Sequence, residues 1–409
     1  MAGSFRSAPG IKSADPPFTI GIEEEYLLVE KESRDVVVDA PPGLLDDCER
    51  RLESQVSPEF LQCQIEVGTT KCDTLIEAAG EIAALRRCVA EVAGNYGLAP
   101  IAASTHPFAT WEALKHTDKE RYNVLARDME GVARRLVICG MHVHVGLDDD
   151  DLRVDLMSQV SYFLPHLLAL STSSPFWRGE RSGLKSYRLA VFDELPRTGL
   201  PETFESYGEY QRHVEVLVQA GIFEDASKLW WDVRPSSRFP TLELRIPDVC
   251  THVQDGWAVA ALYLCLLRML YRLKGQNQRW RRYRNLLIEE NRWRAQRYGM
   301  DAGLVDFGRG QVVPYEDLLE EIISLVQEDA EALGCWKSVQ SARRIVKRGT
   351  SAHRQLATYE TARAEGASHQ EALVRVVDFL IEETVAGLDE TADISAQKSL
   401  SRAPSIGTG

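Results

Sequence analysis

The sequence predicts an α+β fold, with a mainly antiparallel sheet covered by helices on one face and a helical C-terminal part. Three observations predict it. Segments 18–29, 60–67, 98–103, 141–147, 229–234 and 241–246 are strand candidates, and all but the wholly apolar 98–103 alternate with the two-residue period of half-buried strands. Helical periodicity fills 74–96, 119–135, 152–171, 213–220, 253–273 and 281–298, without the regular βαβ rhythm of a parallel sheet. Beyond about Pro314 the chain reads as helix alone, over 315–333, 338–348, 352–364 and 370–388.

The strands carry a repeated pattern. In the first, Ile22, Glu24, Tyr26 and Leu28 share one face, and Glu23 and Glu25 point to the other. In the second, Leu61, Cys63, Ile65 and Val67 oppose Gln62, Gln64 and Glu66. Further on, His142 and His144 oppose Val143 and Val145. Asp232 and Arg234 oppose Leu229, Trp231 and Val233, and Glu243 and Arg245 oppose Leu242, Leu244 and Ile246. These strands thus offer an apolar face for helices to cover and a second face of carboxylates, imidazoles and guanidiniums. For a single strand, a solvated sheet face accounts for such a pattern. Solvated faces, however, usually carry Thr, Lys and Ser, whereas these positions are largely Glu, His and Arg. Four gathered carboxylates repel one another unless cations bind among them.

The helical segments carry less chemistry. The run from Asp148 to Asp151 suits a helix start, where acidic groups complement the dipole, better than a calcium loop. Segment 253–273 is the most apolar, but Arg268 and Arg272 interrupt it. It therefore lacks the roughly 18 unbroken apolar residues of a membrane span and reads as a core helix. Arg279, Arg281, Arg282 and Arg284 read as a solvated helix start rather than a phosphate site. Trp230 and Trp231 read as packing residues rather than a base-stacking platform.

Composition narrows the function. A net charge of -14 over 409 residues argues against a nucleic-acid surface, although metal ions can still bring an anionic nucleotide to the protein. The N-terminus has no apolar core of a secretory signal, and the eight cysteines include no CxxC pair, so a cytoplasmic protein with reduced thiols is expected. Polar tails at 1–17 and 389–409 are expected to be disordered, leaving 18–388 as a single domain. There is no GxGxxG after a strand and no GxxxxGK[ST], so neither a Rossmann nor a P-loop device is supported.

Oxygen-rich ligands without a Cys–His cluster suit Mg²⁺ or Mn²⁺ better than structural zinc, although His142 and His144 have the spacing of a zinc pair on a strand. Arg245 beside Glu243 suits a polyphosphate chain.

The segments GIEEEYLLV (21–29), QIEVGTTKC (64–72), GMHVHVGL (140–147), SPFWRGERSGLKSYR (174–188), WWDVRPSSRFPTLELRIPDVCT (230–251) and GTSAHRQL (349–356) together resemble the YbdK-type carboxylate–amine ligases, the second glutamate–cysteine ligase group. The resemblance runs from about residue 18 to about 388. It implies a glutamine-synthetase-like fold, whose curved sheet holds ATP, metal ions and glutamate on its concave face. It implies that Glu23, Glu25, Glu66 and Glu243 bind metal, that Arg245 contacts the ATP phosphates, and that His142 and His144 face nucleotide and metals. It gives Arg188 the substrate's α-carboxylate, with Arg234 as the alternative anchor, and makes Arg354 a phosphate contact. Position 353 departs from the family pattern, with His353 where aspartate is usual. The implied reaction joins the γ-carboxylate of glutamate to an amine such as cysteine through an acyl phosphate. A metal-dependent hydrolase or phosphatase, or a non-catalytic binding protein, would use the same residues. The expected partners are small molecules, not nucleic acid or membrane, and a homodimer is left open.

Overall fold

The computed structural model describes residues 15–390, so the predicted tails lie outside the described residues except at 15–17 and 389–390. Seven strands form the main sheet: β1 (Ile20–Glu30), β2 (Val56–Pro58), β3 (Gln64–Gly68), β4 (Leu98–Ile101), β5 (Met141–Gly146), β6 (Val233–Pro235) and β7 (Thr241–Leu244). Their spatial order is β6-β7-β5-β1-β3-β2, and β4 pairs with the C-terminal half of β1. Every pairing in this sheet is antiparallel.

Alternation sets the two faces. On β1, Ile20, Ile22 and Tyr26 are buried on the helix side, while Glu23 and Glu25 are only half-buried on the other. Helix α1 (Leu75–Asn95) covers the apolar side with Leu75, Ile82, Leu85 and Val89, and Thr74 caps it by accepting from the Glu77 N–H. Glu24 is the one carboxylate that β1 turns toward this layer. Arg86 of α1 meets it with two hydrogen bonds of 2.6 and 2.7 Å, and the Tyr26 hydroxyl adds a third of 2.6 Å. The same guanidinium donates to the carbonyls of Cys250 and Thr251, both at 2.7 Å. One arginine therefore fastens a strand, a helix and a loop together.

Helix α2 (Val253–Gly275) is long and apolar enough to cross a membrane, but 78% of its apolar window is buried inside the protein. Arg268 and Arg272 near its end both bind the fully buried Asp329, at 2.7 and 2.8 Å. This is the core helix that the interrupting arginines predict. Helices α3 (Ser351–Ala364) and α4 (His369–Val385) pack on each other, and α4 also packs against β4 and α1. All eight cysteines are free and buried. As expected, Asp149 caps the helix Asp150–Val160, and Trp231 is buried against Phe204 and Tyr210.

Several boundaries differ from the sequence reading. The helix expected over 152–171 is two helices, Asp150–Val160 and Leu164–Ser171, joined by a 3₁₀ turn. Pro165 lacks the N–H that a continuous helix would use there. Segment 229–234 is likewise divided. Trp230–Trp231 pairs in parallel with Thr198–Gly199, and only Val233–Pro235 joins the main sheet. At the break, the Asp232 carbonyl accepts from both the Arg245 and Ile246 N–H groups, at 2.8 and 3.0 Å. Residues 315–333 divide after Leu325. The helix expected over 281–298 begins at Asn285, so the arginine run precedes it. Helices Leu44–Leu52 and Tyr187–Phe192 are additional to those expected, and the second carries Arg188.

Candidate active site

The register of five strands builds the polar face. Across the β1–β5 ladder Glu23 lies opposite His142, and across β1–β3 Glu25 lies opposite Glu66. On β7, Glu243 lies opposite His144 of β5 and Arg234 of β6. Cross-strand partners share a face, so the antiparallel order gathers residues up to 220 positions apart, from Glu23 to Glu243.

Glu23 is the hub. His142 Nδ1 lies 3.2 Å from one of its oxygens and His144 Nε2 3.4 Å from the other. Burial favours the protonated Glu23 carboxyl, but the two imidazoles overcome this and hold it well below the usual range. Burial and the nearby Arg245 push His142 down to about 4, so it is neutral at pH 7. At one end of the row, Glu243 receives both Arg234, at 3.0 and 3.2 Å, and Arg245. Burial again favours protonation, and the guanidiniums of Arg245 and Arg234 again overcome it, leaving Glu243 ionised.

The other end gathers carboxylates. Burial raises Glu25, even with Arg188 nearby and an N–H bond of 2.6 Å from Gly140. Burial raises Glu66 further, reinforced by Glu59, Glu23 and Glu25. Ligand oxygens of Glu25, Glu59 and Glu66 all lie within 4.8 Å of one another. Glu59 is the site residue that alternation missed. It sits in the turn after β2, where the strand period no longer assigns a face, and the β2–β3 hairpin returns it beside Glu66. Three carboxylates this close suit a hard divalent cation. Arg245 Nε, a buried nitrogen of the same face, has no hydrogen-bond partner among the described residues, and His144 Nε2 has only its 3.4 Å ion-pair contact with Glu23.

Arg188 is 3% exposed, and its guanidinium donates to the Arg245 and Ile246 carbonyls at 3.1 and 3.2 Å. It lies near enough to Glu25 to lower that carboxyl. Arg234 is on the polar face but fully engaged, with Glu243 and with the Ser227 and Leu229 carbonyls. It therefore does not pair with Asp232, whose partner is Arg292 at 2.7 Å. Arg354 is not brought to this face. It binds Glu383 of α4 and stacks on Phe379, in the helical layer where the neighbouring Thr384 meets Arg86. His353 takes part in the capping box of α3, its Nδ1 accepting from the Thr350 N–H at 3.2 Å, while Nε2 reaches Asp301 at 2.9 Å. The imidazole thus serves the backbone role that a carboxylate usually fills at this position of a cap.

A relative from Rhodospirillum rubrum, named "Putative glutamate--cysteine ligase 2", is 63% identical over 92% of this chain and 98% of its own. One of the same name from Jannaschia is 57% identical over 90% of this chain and 97% of its own. Among solved structures, a glutamate–cysteine ligase from Francisella tularensis in complex with AMP superposes with a TM-score of 0.64 at 15% identity, covering 95% of each chain. A bifunctional glutathione synthetase from Pasteurella multocida gives a TM-score of 0.63 at 14% identity, over 90% of this chain and 52% of that one. Those two likenesses concern the fold. The model of glutamate–cysteine ligase family 2 matches residues 19–378, and the chain belongs to that family.

Proposed function

We propose that the polar sheet face joins a carboxylate to an amine at the expense of ATP, and that the carboxylate is the γ-carboxylate of glutamate. The observation that carries this reading is the continuous row from Arg234 through Glu243, His144, His142 and Glu23 to Glu25 and Glu66. It ends in two guanidiniums on one side and a cluster of three carboxylates on the other. Such a row can bring an anionic nucleotide and an anionic carboxylate together.

A carboxylate resists amine attack because its leaving group would be oxide. In the proposed first step, a carboxylate oxygen bonds to the γ-phosphorus of ATP and the bridging P–O bond breaks, releasing ADP. In the second, the amine nitrogen attacks the acyl carbon and loses a proton, and phosphate leaves with the carboxylate oxygen. Glu25, Glu59 and Glu66 would hold Mg²⁺ or Mn²⁺, with Glu23 next along the row; Glu243, at the far end, is held by Arg234 and Arg245. The ion supplies positive charge to the polyphosphate. Arg245, with Nε unpartnered, offers a donor to the phosphates, and Arg188 binds the α-carboxylate of the amino acid. His142, kept neutral, adds no charge of its own and orients Glu23. The acceptor is an amine such as cysteine.

Hydroxylamine tests this reading without knowledge of the true acceptor. With ATP, Mg²⁺ and glutamate, the enzyme should form a hydroxamate, and EDTA should abolish the reaction. ADP release without hydroxamate, at any hydroxylamine concentration, would contradict the acyl phosphate. Full turnover in EDTA would contradict the metal cluster.

A further inference from the structure

We propose that Gly140 is a positioning residue for the amino-acid substrate, because the missing side chain at this position is the seat of the Arg188 guanidinium. Gly140 immediately precedes β5. Its N–H donates to Glu25 at 2.6 Å, and its carbonyl accepts from the Glu25 N–H at 3.1 Å. A Cβ built at Gly140 would lie 2.5 Å from Arg188 Nη2, 3.0 Å from Cζ and 3.2 Å from Nε. Three guanidinium atoms therefore occupy the space that any other residue would fill.

The backbone gives no separate reason for glycine. Gly140 is absent from the glycines with positive φ, so an alanine would adopt its conformation without strain. The colliding atoms are the far end of a long side chain, so an alanine would shift Arg188 rather than break the sheet. The root of Arg188 cannot follow freely. Its N–H donates to Ser174 Oγ at 3.1 Å, and the buried Asp248 fixes Ser174 and Ser186 at 2.7 and 2.8 Å. Displacement would fall on the guanidinium and its bonds to the Arg245 and Ile246 carbonyls. One peptide thus aligns Glu25 on its N–H side with Arg188 over its Cα.

This inference rests on the reading that Arg188 binds the substrate's carboxylate, and a double-mutant cycle separates the two. Steady-state kinetics with ATP, glutamate and hydroxylamine would be measured for wild type, Gly140→Ala, Arg188→Ala and the double variant, with circular dichroism on each. Gly140→Ala should raise KM for glutamate about 10- to 100-fold, the effect of one lost charge-assisted contact, and leave KM for ATP within about 2-fold. In the Arg188→Ala background it should cost nothing further. Additive losses, an unchanged glutamate KM, or a Gly140→Ala protein that does not fold would each overturn the assignment of Gly140. An Arg188→Ala enzyme with unchanged glutamate KM would instead overturn the role of Arg188.

Discussion

Glu66 and Glu243 stand toward opposite ends of one row, and their surroundings give them opposite energetic signs. Glu66 has carboxylates for neighbours, whereas two buried arginines depend on Glu243. Either replacement by Gln should lower turnover by about 10²-fold or more, through lost transition-state stabilisation. Their stabilities should diverge. Measured by denaturant titration in EDTA, Glu66→Gln should unfold no more easily than wild type, because a repulsion is removed. Glu243→Gln should lose about 3–5 kcal/mol, because buried guanidiniums lose their counter-charge. Equal stabilities would contradict the charge assignment. At this scale the sequence is informative wherever a residue lies inside a strand: Glu23, Glu25, Glu66, His142, His144 and Glu243 fall on the polar face by alternation, and Arg245 directly follows β7. It is silent for Glu59, which lies in a turn. It does not show that Arg354 lies off this face, because its partner, Glu383, is 29 residues away on another helix.

At the scale of elements, periodicity reports faces better than ends. Glu24 was correctly placed with the apolar side of β1, but a carboxylate there needs a partner, and nothing local names Arg86, 62 residues later. Arg86→Met should cost about 3–5 kcal/mol, since it leaves Glu24 buried without its counter-charge. Thermal or denaturant unfolding checks this, and a loss below about 1 kcal/mol, typical of an exposed pair, would contradict the buried clamp. Where elements end was less legible. Periodicity runs through 152–171, although Pro165 sits at the break the structure shows. The division at Asp232, by contrast, arises from two hydrogen bonds to a strand not yet reached in the sequence. Around Arg188 the Gly/Ser/Lys-containing sequence shows no helical period. Its short helix is held by tertiary contacts, including Ser174, that one-dimensional reading does not see.

For the whole molecule, the α+β class and antiparallel sheet were legible because each strand's face had to be buried once. The strand order was not, because it depends on pairings between distant segments. Stability should also depend on pH through buried neutral histidines. Burial pushes both His106 and His166 down to about 4 from the model-peptide value of 6.5. His106 Nδ1 accepts from the Ala109 N–H at 2.9 Å, a bond that a protonated ring cannot make. The unfolded chain therefore takes up protons that the folded one refuses, and stability should fall as pH drops from about 6.5 toward 4, by about 3 kcal/mol per histidine. Denaturant unfolding across that range should show a shallower slope for His106→Gln than for wild type, and identical slopes would contradict the buried neutral ring. The central claim is that the polar face transfers a phosphoryl group to a carboxylate before the amine attacks. It is tested most directly with glutamate carrying ¹⁸O in its γ-carboxylate, by mass analysis of the released phosphate. An acyl phosphate places one labelled oxygen in each phosphate formed, whereas unlabelled phosphate during amide formation would contradict the mechanism.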